Sequence, residues 1–241
     1  MIWTRESVSF NAAYENERML AHVFLPKNAM PPYQAVVVFG GVGINTASGI
    51  DDFGFPFEFL IRAGRAVVIP AFAGTLERGP SLVGIPENDE VDRSLKWYWD
   101  LARTVDYLET RNDIDDKRLG FYALSWGAFH APRLLALERR FKASALVSGG
   151  LYPQPRSVDS WNFAPRYVVP TLMISGKYDS AFPYDTNLKP LFDTLGTAPA
   201  DKEIKMFDGG HANPVTRPET LGHIVNWFDR YLGRVKERDV P

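Results

Sequence analysis

The stretch Arg118-Leu-Gly-Phe-Tyr-Ala-Leu-Ser-Trp-Gly-Ala-Phe-His-Ala131 changes character in its middle. Its first five residues read as a buried strand and the residues after Gly127 as a helix. Ala123-Leu-Ser-Trp-Gly127 between them leaves room only for a tight turn. Strands and helices alternate on both sides of it. The apolar runs at 35–39, 66–70, 118–122, 143–148 and 168–175 lack the polar alternation of a half-exposed strand, as expected of parallel strands covered on both faces. Lys202-Glu-Ile-Lys-Met-Phe207 alternates more, as an edge strand would. Helical spacing marks a long segment at 91–110, and a C-terminal one through Leu221, Ile224, Val225, Phe228 and Leu232 after Pro218. Before residue 33, the amphipathic stretches 7–14 and 18–25 flank a polar Glu-Asn-Glu turn and predict an antiparallel hairpin at one edge. The expectation is one α/β domain over 1–241, a mostly parallel, doubly wound sheet with helices on both faces and no large cap domain.

Composition agrees with such a domain and removes several functions. The chain has 241 residues, 45% of them hydrophobic and 23% charged, enough to bury a full core. Lysine and arginine number 27 against 29 acidic residues, a net charge of −2 that argues against a polyanion-binding surface and so against a nucleic-acid partner. With no cysteine there is no disulfide, no thiolate metal site and no cysteine nucleophile. No apolar run approaches the ~20 residues of a membrane span, and Arg5, Glu6, Glu15, Glu17 and Arg18 break any signal-like apolar stretch. A soluble protein is expected, with a cytoplasmic location favoured and oligomeric state left open.

In a strand–turn–helix context, small-x-Ser-x-small is the setting of a nucleophilic serine. The strained turn brings the residues two before and two after the serine against neighbouring backbone, so Ala123 and Gly127 must be small. It also lifts the Ser125 hydroxyl to the N-terminus of the next helix, where developing negative charge is stabilised. The bland alternative is a helix-capping serine. Pro132, early in that helix, predicts a kink or irregular first turns.

A serine needs a base in reach and an acid to orient it. Of His22, His130, His211 and His223, only His211 falls in a glycine-rich loop at a strand's carboxyl end, in Asp208-Gly-Gly-His-Ala-Asn. His130 lies on the helix behind Ser125, facing away from its hydroxyl. For the acid, Asp179 follows the 168–175 strand at the same edge. Asp208 is the second choice, and Asp185 reads as the cap of the next helix. The oxyanion donors are expected to be the backbone N–H groups of Val42, in the glycine-rich Phe39-Gly-Gly-Val-Gly-Ile-Asn45 loop, and of Trp126, with Gly41 as the register-shifted alternative to Val42. That loop lacks the G-K-[ST] ending of a nucleotide-binding loop.

Residues 74–88 and 149–166, irregular and placed after strands, are expected to be active-site loops. Trp97, Tyr98 and Trp99 either wall an acyl pocket or pack in the ordinary way. Glu77 and Arg78 read as solvated loop charges, with contact to substrate the alternative, and Asp113, Asp115 and Asp116 as a turn lacking the pattern of a calcium loop.

The order Ser125, Asp179, His211 is that of the α/β-hydrolases, and the chain resembles that superfamily over nearly its full length. Residues 104–127 look like the dienelactone hydrolase and acetyl-esterase-like branches. Residues 31–41 and 62–70 are similar to hydrolase domains that follow bacterial serine/threonine kinase modules, which implies a place in a longer multidomain protein. The resemblance implies a serine triad of Ser125, Asp179 and His211 with oxyanion donors at Val42 and Trp126. Ala123 and Gly40 depart from the glycine and histidine usual at those positions. The expected activity is hydrolysis of small-molecule, short-chain esters with no cofactor and no metal. A peptidase or other acyl hydrolase on the same triad, and a non-catalytic module, are the alternatives.

Overall fold

A computed structural model describes residues 2–54, 56–79, 87–212, 214 and 217–237. The strands are β1 (Trp3–Asn11), β2 (Arg18–Pro26), β3 (Tyr33–Phe39), β4 (Ala66–Ala71), β5 (Ile114–Leu124), β6 (Ala143–Val147), β7 (Thr171–Gly176) and β8 (Lys202–Phe207). The α-helices are α1 (Ile50–Phe53), α2 (Glu58–Arg62), α3 (Glu87–Glu109), α4 (Trp126–Leu137), α5 (Ser160–Phe163), α6 (Lys189–Thr194) and α7 (Pro218–Leu232). The chain divides into two compact units, Met1–Val38 with Gly43–Gly120 and Leu232–Pro241, and Phe39–Val42 with Phe121–Tyr231.

In the first unit the ladder runs β1-β2-β4-β3-β5. The expected hairpin is there: β1 pairs antiparallel with β2, and β2 antiparallel with β4. β4 and β3 then run parallel. All six residues of β4 are buried, and all but the first of β3, which is why both read as unbroken apolar runs. β1 alternates in burial and carries the polar face of an edge strand.

Sequence reading is corrected at three points in this unit. Arg78 is not a solvated loop charge: its guanidinium donates to Asp100 (2.7 Å), Glu17 (2.9 Å) and the Tyr14 hydroxyl (2.7 Å), and its side chain is 8% exposed. Burial raises the Asp100 carboxyl against the pull of Arg78, and the hydrogen bonds of Arg78 tie the loop after β4 to α3 and the hairpin turn. Glu77 stays exposed but has partners, accepting from Ile50 N–H at 3.0 Å. The acidic run is partly strand rather than turn, with Asp113, Asp115 and Asp116 paired to Arg111, Arg118 and Lys117. Trp97 is core, its indole N–H donating to Ala73 O at 2.9 Å, and Trp99 packs near Tyr14, so the ordinary-packing alternative holds for both. Residues 80–86 of the expected loop at 74–88 lie outside the described residues.

In the second unit the ladder runs β5-β6-β7-β8, the last two pairs parallel. β6 and β7 are buried throughout, and β8 only half-buried, as an edge strand should be. β5 belongs to both units, and its eight-stranded sheet carries helices and an antiparallel N-terminal hairpin. The chain has the α/β-hydrolase fold.

Candidate active site

Every predicted site residue falls in the second unit. Ser125 ends β5 and precedes α4 with φ 49° and ψ −107°, a left-handed conformation that costs a non-glycine residue energy. Its surroundings hold it there. Ser125 N–H donates to Val147 O at 2.8 Å, and its carbonyl accepts the first helical bond from Phe129 N–H at 2.9 Å. The hydroxyl makes no capping bond. Instead it meets His211 Nε2 at 2.7 Å.

Small neighbours make the turn feasible. A Cβ on Gly127 would stand 2.2 Å from Phe39 O, and Gly127 N–H donates to Gly40 O at 3.0 Å. The 39–42 loop therefore lies directly against the turn, and only glycine allows that approach. Ala123 is fully buried and its methyl is accommodated. α4 continues through Pro132 to Leu137, so the irregular first turns expected there do not occur.

The imidazole is held from three sides. His211 Nδ1 meets both oxygens of Asp179, at 2.8 and 3.0 Å. Its backbone carbonyl accepts from Ser148 Oγ at 2.8 Å, and Phe182 packs beside its ring at 5.8 Å. With Nδ1–H directed at a carboxylate, Nε2 is left to accept the serine proton. Asp179 has no exposed side-chain surface and accepts from Ser175 Oγ (3.1 Å) and from the N–H groups of Ala181 and Phe182 (both 2.9 Å). Those donors fix the carboxylate in place.

Gly176, at the end of β7, explains how the loops bearing acid and base come together. A Cβ there would lie 2.3 Å from Gly209 O and 2.4 Å from Gly210 O. The Gly41 backbone approaches Ser125 as well, its Cβ position being 3.6 Å from the serine Cβ. Val42 follows as an exposed residue opening a 3₁₀ turn, and Trp126 opens α4. Backbone N–H groups at such a helix start have no intrahelical acceptor.

The remaining candidates are placed elsewhere. Asp208 is exposed and paired with Lys177 at 2.8 Å. Asp185 does not cap its helix: it is the second residue of a π-helical turn, Tyr184–Leu188, whose cap position is Pro183. His130 is fully buried, facing Trp126 and Phe39, and His223 lies beside Phe207. Sequence reading missed Ser148 and Phe182. The signal for Ser148 was only its place after an apolar strand; its φ of 51° is a tertiary result. No group of side chains that could hold a metal ion occurs among the described residues, and none of their helices is long and apolar enough to cross a membrane.

No protein-family model matches the chain. A cutinase of Thermobifida alba, Cutinase est2, is 26% identical over 208 residues, covering 76% of this chain and 66% of the relative. This chain thus spans just under two thirds of that relative's length. Among solved structures, an acetyl xylan esterase from Paenibacillus sp. R4 superposes with a TM-score of 0.72 at 19% identity, over 95% of this chain and 84% of that one. A Pyrococcus furiosus esterase gives 0.74 at 16% identity, over 96% and 94%. These likenesses carry the fold.

Proposed function

We propose that the chain is a carboxylesterase, acting as one α/β-hydrolase domain over 1–241 on small-molecule esters. The observation that carries this reading is the continuous relay Ser125 Oγ–His211 Nε2 at 2.7 Å and His211 Nδ1–Asp179 Oδ2 at 2.8 Å, on a serine held in a strained turn. The esterase names of the cutinase relative and of the structural neighbours support it.

In this reading Ser125 Oγ attacks the ester carbonyl carbon while His211 Nε2 takes the hydroxyl proton. Asp179, buried and already hydrogen-bonded, keeps the ring oriented and stabilises the imidazolium. The carbonyl oxygen becomes an oxyanion facing the N–H groups of Val42 and Trp126, with Gly41 the alternative to Val42. Loss of one such donor typically costs roughly 10²–10³ in rate. The carbon–oxygen bond to the alcohol then breaks, and His211 protonates the departing oxygen. Water, deprotonated by the same histidine, attacks the acyl-serine and releases the acid.

A fluorophosphonate probe, followed by peptide mapping, tests the nucleophile. Label on Ser125 is expected, and a protein that takes no label overturns the reading. A short acyl chain is the preferred substrate, because residues 149–166 carry only α5 and one 3₁₀ turn, Ala164–Arg166, too little for a lid over a long lipid chain. p-Nitrophenyl esters from acetate to palmitate check this, with activity falling as the chain lengthens. Higher kcat/KM on palmitate refutes it.

A further inference from the structure

A second cavity-forming feature of the same unit is not used by the relay. Leu151, Tyr152, Pro153 and Trp161, with Asp159, Thr186 and Asn187, line a cleft of about 390 Å³, within the ordinary range of ligand pockets. Two large aromatic side chains stand half-exposed on it, Tyr152 at 48% and Trp161 at 52%. Leaving such rings in water is unfavourable, and pairs of them on a concave wall mark recognition sites.

Much of the polar lining is already employed. Asp159 Oδ1 accepts from Trp161 N–H at 3.0 Å, Thr186 Oγ1 donates to Asn187 Oδ1 at 2.5 Å, and Asn187 Nδ2 donates to Leu151 O at 2.5 Å. Leu151 N–H returns a bond to Asn187 O at 3.0 Å. These groups build the wall, so the face presented to a ligand is mainly the rings, Leu151 and Pro153. α4 anchors the wall from behind. Buried Arg133 donates to Val158 O at 2.8 Å and to Gln154 Oε1 at 3.2 Å, and Ser160 Oγ donates to Phe129 O at 3.2 Å.

Ring packing links the cleft to the imidazole side of the relay. Phe182 packs against His211 with ring centroids 5.8 Å apart, and Tyr152 meets Phe182 edge-on at 5.6 Å. His211 delivers its proton to the departing alcohol oxygen, so that oxygen must stand on the imidazole side of Ser125. We infer that the Tyr152–Trp161 cleft binds the alcohol portion of the ester, and that it selects an alcohol carrying an apolar aromatic ring. This rests on the esterase reading above and adds the substrate's leaving group to it.

Acetates of 2-naphthylmethanol and 1-butanol test the inference, since both are alkyl alcohols of similar acidity and share one acyl group. The unmodified protein should favour the naphthylmethyl ester in kcat/KM, mainly through KM. Trp161→Ala and Tyr152→Ala should each lower that preference about tenfold, the worth of one good aromatic contact, and Trp161→Phe should restore much of it. An unchanged preference in both alanine variants overturns the inference. Titration of the Ser125→Ala protein with 2-naphthylmethanol reads the cleft without turnover, and Trp161→Ala in that background should weaken binding by the same factor. Binding without hydrolysis of either ester sinks the esterase reading alone. Hydrolysis with no binding of the alcohol and no ring preference sinks the cleft alone.

Discussion

Among the described residues stand two serine–histidine–carboxylate sets with nearly the same distances. In one, Ser125 meets His211 at 2.7 Å and His211 meets Asp179 at 2.8 Å. In the other, Ser7 Oγ lies 2.9 Å from His22 Nδ1, and His22 Nε2 3.1 Å from Glu77 Oε1. Side-chain type and spacing therefore do not by themselves single out Ser125 as the nucleophile proposed above. Ser7 sits in a regular strand, directly opposite His22 in the β1–β2 ladder, where neighbouring backbone N–H groups serve the sheet. Ser125 sits at a strained turn before a helix, with glycine backbone close beside it. The nitrogens are also reversed: Ser7 uses Nδ1 and Ser125 uses Nε2. Glu77 divides itself between His22 and Ile50 N–H, while Asp179 has several donors fixing it towards one ring. A hydroxyl near an imidazole becomes a nucleophile where backbone donors await the charge it creates.

Replacing either serine gives the largest expected contrast. Ser125→Ala should lower kcat on p-nitrophenyl acetate by roughly 10⁴–10⁶ and abolish fluorophosphonate labelling. Ser7→Ala should leave both intact, and label on Ser7 would mean that the strained turn is not what matters. Next in size is the turn itself. Gly127→Ala forces a methyl onto Phe39 O and should destabilise the protein by about 1–3 kcal/mol in urea unfolding, whereas Gly41→Ala, with ordinary contacts, should unfold near the parent's midpoint.

A smaller effect sharpens the part played by the histidine loop. Ser148→Ala removes the bond to His211 O, a neutral hydrogen bond worth about 1 kcal/mol, so kcat should fall about fivefold and the melting temperature by about 2–4 °C. Unaltered kcat would show that Asp179 and Phe182 suffice to place the ring. The smallest effect concerns the other set. Burial opposes ionisation of Glu77, but the bonds from Ile50 N–H and His22 outweigh it and hold the carboxyl below its usual 4.5. A depressed carboxyl adds stability above about pH 4.5 that is lost as pH falls through the lower folded value. Glu77→Gln should therefore make the decline in Tm below pH 4.5 shallower while kcat at neutral pH stays the same.

Much of the architecture was legible because burial on both faces leaves unbroken apolar runs, and this holds for β3, β4, β6 and β7. The strand at 118–122 was found but its start was not: Asp115 and Asp116 read as turn residues, and only pairing with Lys117 and Arg118 lets them occupy β5. Arg78 was misread for a related reason. A charge belongs in water unless partners meet it, and Asp100, Glu17 and Tyr14 come from distant parts of the chain.

Local pattern by itself determined the alternation of strand and helix, the small residues around Ser125 and the placement of Asp179 and His211 after strands, because these follow from periodicity and steric room within a few residues. Which histidine meets which serine was decided only in three dimensions. The 2.7 Å contact, the buried carboxylate, the hold of Ser148 on His211 and the aromatic cleft all depend on segments brought together by packing, and no short-range preference encodes a distance between them.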